Sequence, residues 1–345
     1  MVTKKNGPVA ILGALLAAGL VAPLLTGSDP GFYLEVLIGG LMAGVLYSLV
    51  ALGFVLIFKA SGVFNFAQGA MVLFAALALA RLAEWLPGLI GIPAGLPALM
   101  LAFVLATGIM VILAWLIERI VLRPLVAQDP VALLMATLGV TFFLDGFGQT
   151  IWGSDIYKID MGISKDPTMI LETVFKGGIL VSKEDLVATV IAAVLVLLLA
   201  LFFRKTATGR ALRAVADDHQ AAQSIGIPLN RIWVIVWSVA GFVALVAGMV
   251  WGSKLGVQFS LAQLALKALP VVILGGFTSI PGAIIGGLII GVGEKMAEVF
   301  MGPPLIKLWD LAGGGIENWF AYVLALLFLM VRPEGLFGEK HIDRV

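Results

Sequence analysis

Cysteine is absent from this 345-residue sequence, and histidine occurs only as His219 and His341. The missing cysteine excludes disulfide bonds, thiolate metal sites and catalysis by a cysteine nucleophile, but it leaves the cellular compartment undecided. Both histidines lie in polar stretches, which argues against a histidine-based metal centre or acid–base site. We therefore expect no metal site on this chain.

Charge is equally scarce. Only 12% of the residues are charged, 61% are hydrophobic, and the mean hydropathy is +1.09. A soluble domain carries about 25% charged residues, so this composition cannot cover a water-exposed surface and predicts a protein surrounded by a lipid bilayer. The net charge of +1 gives no general attraction to nucleic acid, and we expect no such partner.

Long apolar runs follow one another along the chain, and most are long enough for a transmembrane helix. They cover residues 8–25, 33–58, 66–86, 97–120, 131–152, 186–203, 232–251, 264–293 and 319–331. Glycines from Gly275 to Gly282 interrupt the run 264–293, and broken backbone survives in a bilayer only where protein or a water-filled cavity surrounds it. We expect a pair of short helices there. The predicted fold is a single all-α transmembrane domain over residues 1–345 with about ten crossings.

The first run, 8–25, follows Lys4 and Lys5 and has the outline of a signal peptide. It is somewhat long for the apolar core of a signal, and another span follows almost at once. We interpret it as a retained first span, with a cleaved signal as the alternative.

Basic residues alternate between successive loops, which indicates the orientation of a membrane protein. Both termini are predicted to lie in the cytoplasm, because Lys4 and Lys5 are near the start of the chain and a basic tail follows Val331. Two cytoplasmic termini require an even number of crossings, and counting the glycine-broken pair as two short crossings gives an even number. Segment 204–231 then lies in the cytoplasm and segment 153–184 lies on the periplasmic face of the inner membrane.

Segment 204–231 is the longest polar stretch on the predicted cytoplasmic side. A narrow apolar stripe of Leu212, Val215 and the pair Ala221–Ala222 predicts two short helices, with Asp217 capping the second and Gly226 ending it. A short amphipathic helix with small residues on one side fits a groove of a partner protein. A solvated connector is the alternative.

Five sequence stretches carry a resemblance to a known family. Gly-Arg-Ala-Leu-Arg-Ala at 209–214 and Ala-Ala-x-x-x-Gly-Ile at 221–227 resemble the cytoplasmic coupling loop of permease subunits of branched-chain amino acid (Liv-type) ABC importers. Residues 61–69 are similar to the family's Asn-x-Ala-His-Gly segment, 272–282 to its glycine-rich turn, and 332–338 to its C-terminal signature. The likeness favours the first-permease (LivH-like) branch, which is related to urea-importer permeases.

The resemblance implies an importer that moves an amino acid or a related small polar solute inward by alternating access. It also implies a second homologous permease, two ATPase subunits that hold ATP and magnesium, and a periplasmic substrate-binding protein. No cofactor is expected on this chain, which lacks the G-x-x-x-x-G-K-[ST] loop that holds nucleotide phosphates. The residues expected to form the ATPase coupling loop are Gly209, Arg210, Arg213, Ala214, Asp217, Asp218, Ala221, Ala222 and Gly226.

This sequence departs from the family pattern at two positions. Gln68 stands where histidine is common, and Ala70 stands where glutamate is common. The substrate therefore stays open among branched-chain amino acids, other amino acids, urea and small carboxylates. Whether the two permeases of the importer are identical also stays open.

Candidate residues for the substrate pathway come from three stretches. Thr137, Thr141, Asp145 and Gln149 recur every four residues and share one helix face. A carboxylate inside a span marks a functional site by default, although such a stripe also hydrogen-bonds neighbouring helices. The remaining candidates are Asn65, Phe66, Gln68 and Gly69, for which a helix cap is the alternative, and Gly275, Gly276, Thr278 and Ser279.

Two other functions compete with the permease. A stand-alone secondary transporter would use Asp145 as its coupling carboxylate, but it would not explain the long loop 204–231. An intramembrane enzyme lacks a buried histidine, a cysteine or paired carboxylates within the spans. Glu294, Lys295 and Glu298 are expected to form a solvated outer helix end.

Overall fold

The computed structural model describes residues 29–125, 128–170, 172, 178–217, 219–310 and 315–338, without the side chains of 130, 217, 219, 220, 305 and 309. The predicted first span 8–25, Asp218 and the tail after Gly338 lie outside these residues. The helices in chain order are α1 (Pro30–Ser61), α2 (Gln68–Ile90), α3 (Leu96–Leu116), α4 (Pro130–Trp152), α5 (Lys183–Lys205), α6 (Ala207–Asp217), α7 (His219–Ser224), α8 (Leu229–Leu255), α9 (Ser260–Gly275), α10 (Ile280–Met296), α11 (Gly302–Trp309) and α12 (Ile316–Val331).

Within the described residues, six helices are long and apolar enough to cross a bilayer: α1, α2, α3 with its continuation to Leu125, α4, α5 and α8. The pair α9 and α10 passes the same test together but is bent by 115° at its break. The shorter helix α12 is also apolar. A multi-pass helical bundle with a broken helix pair is therefore confirmed, while the number of crossings and their orientation stay predictions.

The chain forms two compact units, which are described separately. Unit 1 comprises residues 1–48, 164–193 and 267–345, and unit 2 comprises residues 49–163 and 194–266. The prediction of one domain over 1–345 stays a prediction.

The core of unit 2 is built around α2, which packs against α3, α4 and α8. Residues 68–80 of α2 are buried on every side, as expected for a helix that is apolar all round. Helices α2 and α8 approach closely because Gly248 has no side chain: a β-carbon there would lie 2.7 Å from the carbonyl oxygen of Val72.

Unit 1 is organised by a close crossing between α1 and α10. Gly40 and Gly44 lie on α1, and Gly287 and Gly291 lie on α10, so both helices present glycines four residues apart. A β-carbon at Gly44 would lie 2.7 Å from the carbonyl oxygen of Gly287. Small residues at this spacing allow helix backbones to touch in a membrane. The Ser48 hydroxyl lies 3.1 Å from the carbonyl oxygen of Ile284 and links the same two helices.

The predicted periplasmic segment holds a short antiparallel hairpin of β1 (Pro167–Ile170) and β2 (Ile179–Ser182). Ile179 and Val181 are buried while Leu180 is exposed, the alternation of a half-buried strand. The Leu180 amide donates to the Glu35 carboxylate at 3.3 Å, which ties the hairpin to the start of α1. The sequence pattern indicates only a mixed polar segment here and does not reveal the hairpin.

Candidate functional site

The loop between α1 and α2 is held by the side chain of Asn65. Its carbonyl oxygen accepts the Ala67 amide at 3.0 Å, and its amide nitrogen donates to Gln68 Oε1 at 3.4 Å. Asn65 and Gln68 are both completely buried. The local geometry is that of an asparagine-stabilised turn before a helix, which matches the capping alternative. A pathway role for these two residues stays a prediction.

Thr137 of α4 joins this loop. Its hydroxyl accepts the Phe66 amide at 3.4 Å and lies 3.2 Å from the carbonyl oxygen of Phe64. Four predicted pathway residues, Asn65, Phe66, Gln68 and Thr137, therefore lie together in unit 2. We call Asn65, Gln68 and Thr137 with the loop Phe64–Phe66 the amide cluster.

Gly69 is required for close packing. A β-carbon at this position would collide with the carbonyl oxygen of Ala262 near the start of α9, so only glycine lets α2 approach that segment. Gly53 of α1 leaves the space that the Gln68 amide occupies. The Gln68 amide nitrogen is buried and has no hydrogen-bond partner among the described residues.

The rest of the α4 stripe changes from buried to exposed along the helix. The Thr141 hydroxyl donates to the carbonyl oxygen of Thr137 in its own helix at 2.9 Å. Asp145 is half-buried, and one of its carboxylate oxygens is enclosed without a hydrogen-bond partner in the part of the chain that the structure describes; Gln149 is exposed. Thr137 therefore contacts the loop, whereas Asp145 has a carboxylate oxygen that forms no hydrogen bond among the described residues.

The broken pair in unit 1 turns through residues 276–279. Gly276 adopts a φ of +101°, which a side chain would strain. The Ser279 hydroxyl accepts the Gly282 amide at 3.0 Å and caps α10. Backbones of Gly275 and Gly282 are in contact, so neither position can accept a side chain. Thr278 and Ser279 are half-buried in this turn.

The C-terminal signature packs against the same turn. The Leu336 amide donates to the Leu274 carbonyl at 2.8 Å, and the Phe337 amide donates to the Gly275 carbonyl at 3.2 Å. These two carbonyls belong to the last turn of α9, where no intrahelical donor remains. Two motifs that lie far apart in the sequence are therefore one structural feature, in which residues 332–338 cap the broken helix.

Segment 204–231 forms two short helices, α6 and α7, as predicted, and Gly226 ends α7 with a φ of +85°. Both helices pack against α8. The Arg213 guanidinium donates to the Phe203 carbonyl at 2.7 Å, and Gly209 allows α6 to touch the same carbonyl. Ala214 is half-buried. The side chain of Asp217, and Asp218 as a whole, lie outside the described residues.

The predicted apolar stripe of this segment is divided between the interior of the chain and its surface. Leu212, Val215 and Ala222 are buried against this chain. The side that is open to a partner instead carries Ala221 and Ile225, and Ile225 is 74% exposed. Ile225 directly follows α7, and its amide donates to the Ala221 carbonyl at 3.3 Å. Because both residues are apolar and exposed at this end of the helix, we call them the α7 edge.

Glu294 is not part of a solvated helix end, whereas the side chains of Lys295 and Glu298 are 37% and 42% exposed. Glu294 is only 3% exposed, accepts the Tyr47 hydroxyl at 3.1 Å and lies 3.5 Å from Lys267 Nζ. Lys267 also lies 3.5 Å from Glu317, and Lys295 pairs with Glu298 at 2.7 Å and with Glu317 at 3.6 Å. We call these residues the ionic cluster: Tyr47, Lys267, Glu294, Lys295, Glu298 and Glu317. The expectation was wrong for Glu294 because it ignored Lys267, a lysine within the apolar run 264–293.

Residues 36–332 match the protein family described as "Branched-chain amino acid transport system / permease component". The chain belongs to this family. The permease is 29% identical over 317 residues to the high-affinity branched-chain amino acid transport system permease protein BraD of Pseudomonas aeruginosa, covering 91% of this chain and 98% of that protein. It is 26% identical over 316 residues to the protein LivH of the same description in Escherichia coli, with the same coverage.

A third relative comes from an archaeon. The permease is 27% identical over 313 residues to a probable branched-chain amino acid transport permease protein LivH of Methanocaldococcus jannaschii, covering 88% of this chain and 92% of that protein. The resemblance stated from the sequence motifs is thereby confirmed. The chain is a multi-pass transport component rather than an enzyme.

Proposed function

We propose that this permease moves branched-chain or related amino acids inward as one membrane subunit of an ATP-driven importer. The observation that carries the proposal is the similarity along 91% of the chain to BraD and LivH, whose names state that substrate class. Gln68 and Ala70 depart from the family pattern, so related amino acids are included in the proposal.

The rest of the importer is supplied by other chains. We propose a second homologous permease, two ATPase subunits with ATP and magnesium, and a periplasmic substrate-binding protein, with no cofactor on this chain. The absence of a G-x-x-x-x-G-K-[ST] loop from the sequence supports an external source of ATP hydrolysis. We propose an inner-membrane location with both termini in the cytoplasm, and the alternation of basic residues supports this orientation.

Coupling would pass through α6 and α7. In this proposal the α7 edge inserts into a groove of an ATPase subunit, because Ala221 and Ile225 are exposed apolar residues on a predicted cytoplasmic surface. Leu212 and Val215 anchor α6 within this chain, and Arg213 ties it to the end of α5. A displacement of the α7 edge would therefore move α5 and α8 as well.

Alternating access then follows from a difference in contacts between two states. ATP binding and hydrolysis change the shape of the ATPase groove. The conformation of the permease that makes better contacts with the groove then becomes more populated. The proposed pathway includes the α4 stripe from Thr141 to Gln149, which the amide cluster positions through Thr137. The turn at residues 276–279 is also included in the proposed pathway.

The test charges the α7 edge. Ala221→Glu with Ile225→Glu should abolish uptake and copurification of the ATPase subunits, because a groove for small apolar side chains excludes unpaired charge. The control Gln223→Glu lies on another face of the same helix and is also exposed, so it should keep both. Ala222 is unsuitable because it is buried, and a charge there would damage this chain. Normal uptake by the double variant would overturn the coupling assignment.

A further inference from the structure

Tyr47, Lys267 and Glu294 of the ionic cluster lie within apolar helices, while Glu317 is the second residue of α12. Tyr47 is near the centre of the 32-residue helix α1, Lys267 is near the centre of the 16-residue helix α9, and Glu294 lies two residues before the end of α10. Since α1 is a candidate membrane span, the hydrogen bond from Tyr47 to Glu294 places the buried end of the cluster beside the membrane-spanning part of α1.

The cluster is open on one side. The side chain of Glu294 is 3% exposed, but that of its partner Lys267 is 33% exposed, and those of Lys295, Glu298 and Glu317 are also partly exposed. Charged groups at this depth do not face lipid, because ionisable side chains within a membrane face a water-filled cavity or protein. The open side of the cluster therefore faces water or a polar partner.

The charges within the cluster are incompletely matched. Three carboxylates, Glu294, Glu298 and Glu317, share two ammonium groups, those of Lys267 and Lys295. Lys267 lies 3.5 Å from each of two carboxylates, whereas a closed charge-assisted hydrogen bond measures about 2.7–2.9 Å. The excess carboxylate can accept an additional ammonium group, and Lys267 can exchange one of its partners for another carboxylate.

We propose that Lys267, Glu294 and Glu317 form a contact site for the transported solute, which is a zwitterion with one ammonium and one carboxylate group. The ammonium group binds the excess carboxylate charge of Glu294 and Glu317, and the carboxylate group binds Lys267. Solute sites of transporters are commonly formed by interrupted transmembrane helices, and Lys267 and Glu294 belong to the two halves of the broken pair, α9 and α10. This inference rests on the proposed import function and adds which side chains bind the two charged groups of the solute.

The test removes one ion pair and compares it with a matched pair elsewhere. Lys267→Gln with Glu294→Gln should reduce leucine uptake by the complete importer in proteoliposomes by about thirtyfold or more, since losing a buried charge contact commonly has an effect of that order. The control is Glu118→Gln with Arg123→Gln, which also removes a buried carboxylate and a half-exposed cation, with side chains 0% and 45% exposed. The control should keep uptake.

Copurification of the ATPase subunits separates the possible failures. If the unmodified chain does not bring them along, the proposed function itself is wrong. If the Lys267 and Glu294 variant assembles and still takes up leucine at a similar rate, only the contact site is wrong, and the pair is structural.

A cysteine experiment decides the question if that variant does not assemble. The chain has no cysteine, so Glu317→Cys provides a single thiol. We expect a water-soluble thiol reagent to label it, and leucine-loaded binding protein to slow the labelling. Met330→Cys on the same helix is 84% exposed at an apolar position and should stay unlabelled in the bilayer. Failure of the Glu317→Cys thiol to be labelled, or labelling that leucine does not slow, would overturn the proposal; the second result would assign the open face to the partner permease.

Discussion

The amide cluster of unit 2 and the ionic cluster of unit 1 are both polar groups within apolar helices, but they differ in charge and in how far their side chains are buried. Asn65, Gln68 and Thr137 are neutral, fully buried and bonded to the loop Phe64–Phe66. The ionic cluster carries five charged side chains and is open on one side. The first therefore holds the loop before α2, and the second is the cluster that we propose contacts the solute.

The difference shows that a buried polar side chain can hold a turn as well as line a pathway. The hydrogen bonds of Asn65 hold the turn before α2, and a pathway role for Asn65 and Gln68 stays a prediction. Lys267 is not among the predicted pathway residues, although a lysine within a span is costlier to bury than an amide. A charge that remains partly exposed at membrane depth is the more specific sign of a pathway.

The largest effect is expected from separating the helices that hold the ionic cluster. Gly40→Leu should prevent the crossing of α1 and α10, because a β-carbon there would lie 2.8 Å from the Cα atom of Val292. We expect loss of most of the folded protein from the membrane. The adjacent Gly39→Leu is the control, since a β-carbon at Gly39 meets nothing within 4 Å. Equal amounts of the two folded variants, measured by fluorescence-detected size exclusion, would show that this crossing does not position the cluster.

An intermediate effect is expected at Asp145, which shares features with both clusters. It is half-buried with one oxygen that has no hydrogen-bond partner among the described residues, so its charge is available to a solute but is not part of an ion network there. Asp145→Asn keeps the shape and removes the charge, and we expect uptake to fall by about tenfold, the equivalent of about 1.4 kcal/mol. Copurification of the ATPase subunits should be unaffected. Unchanged uptake would assign Asp145 to helix packing and would leave the permease assignment intact.

The smallest effect is expected within the amide cluster. Thr137→Val removes the hydroxyl that joins α4 to the loop, and the loss of a hydrogen bond of this kind destabilises a protein by about 1 kcal/mol. Thr150→Val on the same helix is the control because its hydroxyl donates to the Gly146 carbonyl of that helix at 2.9 Å, and Thr150 is not a proposed pathway residue. Thermal unfolding in detergent should give a lower midpoint for Thr137→Val than for Thr150→Val, with uptake per folded molecule equal. A selective loss of uptake in Thr137→Val would make the amide cluster part of the pathway after all.

The sequence predicted what depends on local patterns. Apolar runs located α1 to α5 and α8, the glycines placed the break between α9 and α10, and Gly226 marked the end of α7. These features follow from composition and from backbone conformations that only certain residues adopt.

The contacts between distant segments could not be predicted in the same way. The pairing of residues 332–338 with the carbonyls of Leu274 and Gly275, and the ion pair between Lys267 and Glu294, depend on how helices pack. The sequence does contain one pattern that predicts a contact between distant helices. Gly40-x-x-x-Gly44 and Gly287-x-x-x-Gly291 have the spacing of closely packed membrane helices. The orientation of the α6 and α7 stripe also needed the structure, because an apolar stripe does not reveal whether its own chain or another covers it.

We expect this permease to work only as part of an importer whose ATP hydrolysis takes place on other chains. The direct measurement is leucine uptake into proteoliposomes that contain the purified chain with its copurified subunits and the loaded binding protein. We predict uptake that requires ATP and magnesium, is unaffected by collapsing ion gradients, and is lost in the Ala221→Glu, Ile225→Glu variant. Uptake by the chain alone, driven by a proton or sodium gradient without ATP, would contradict the account and would make the protein a secondary transporter.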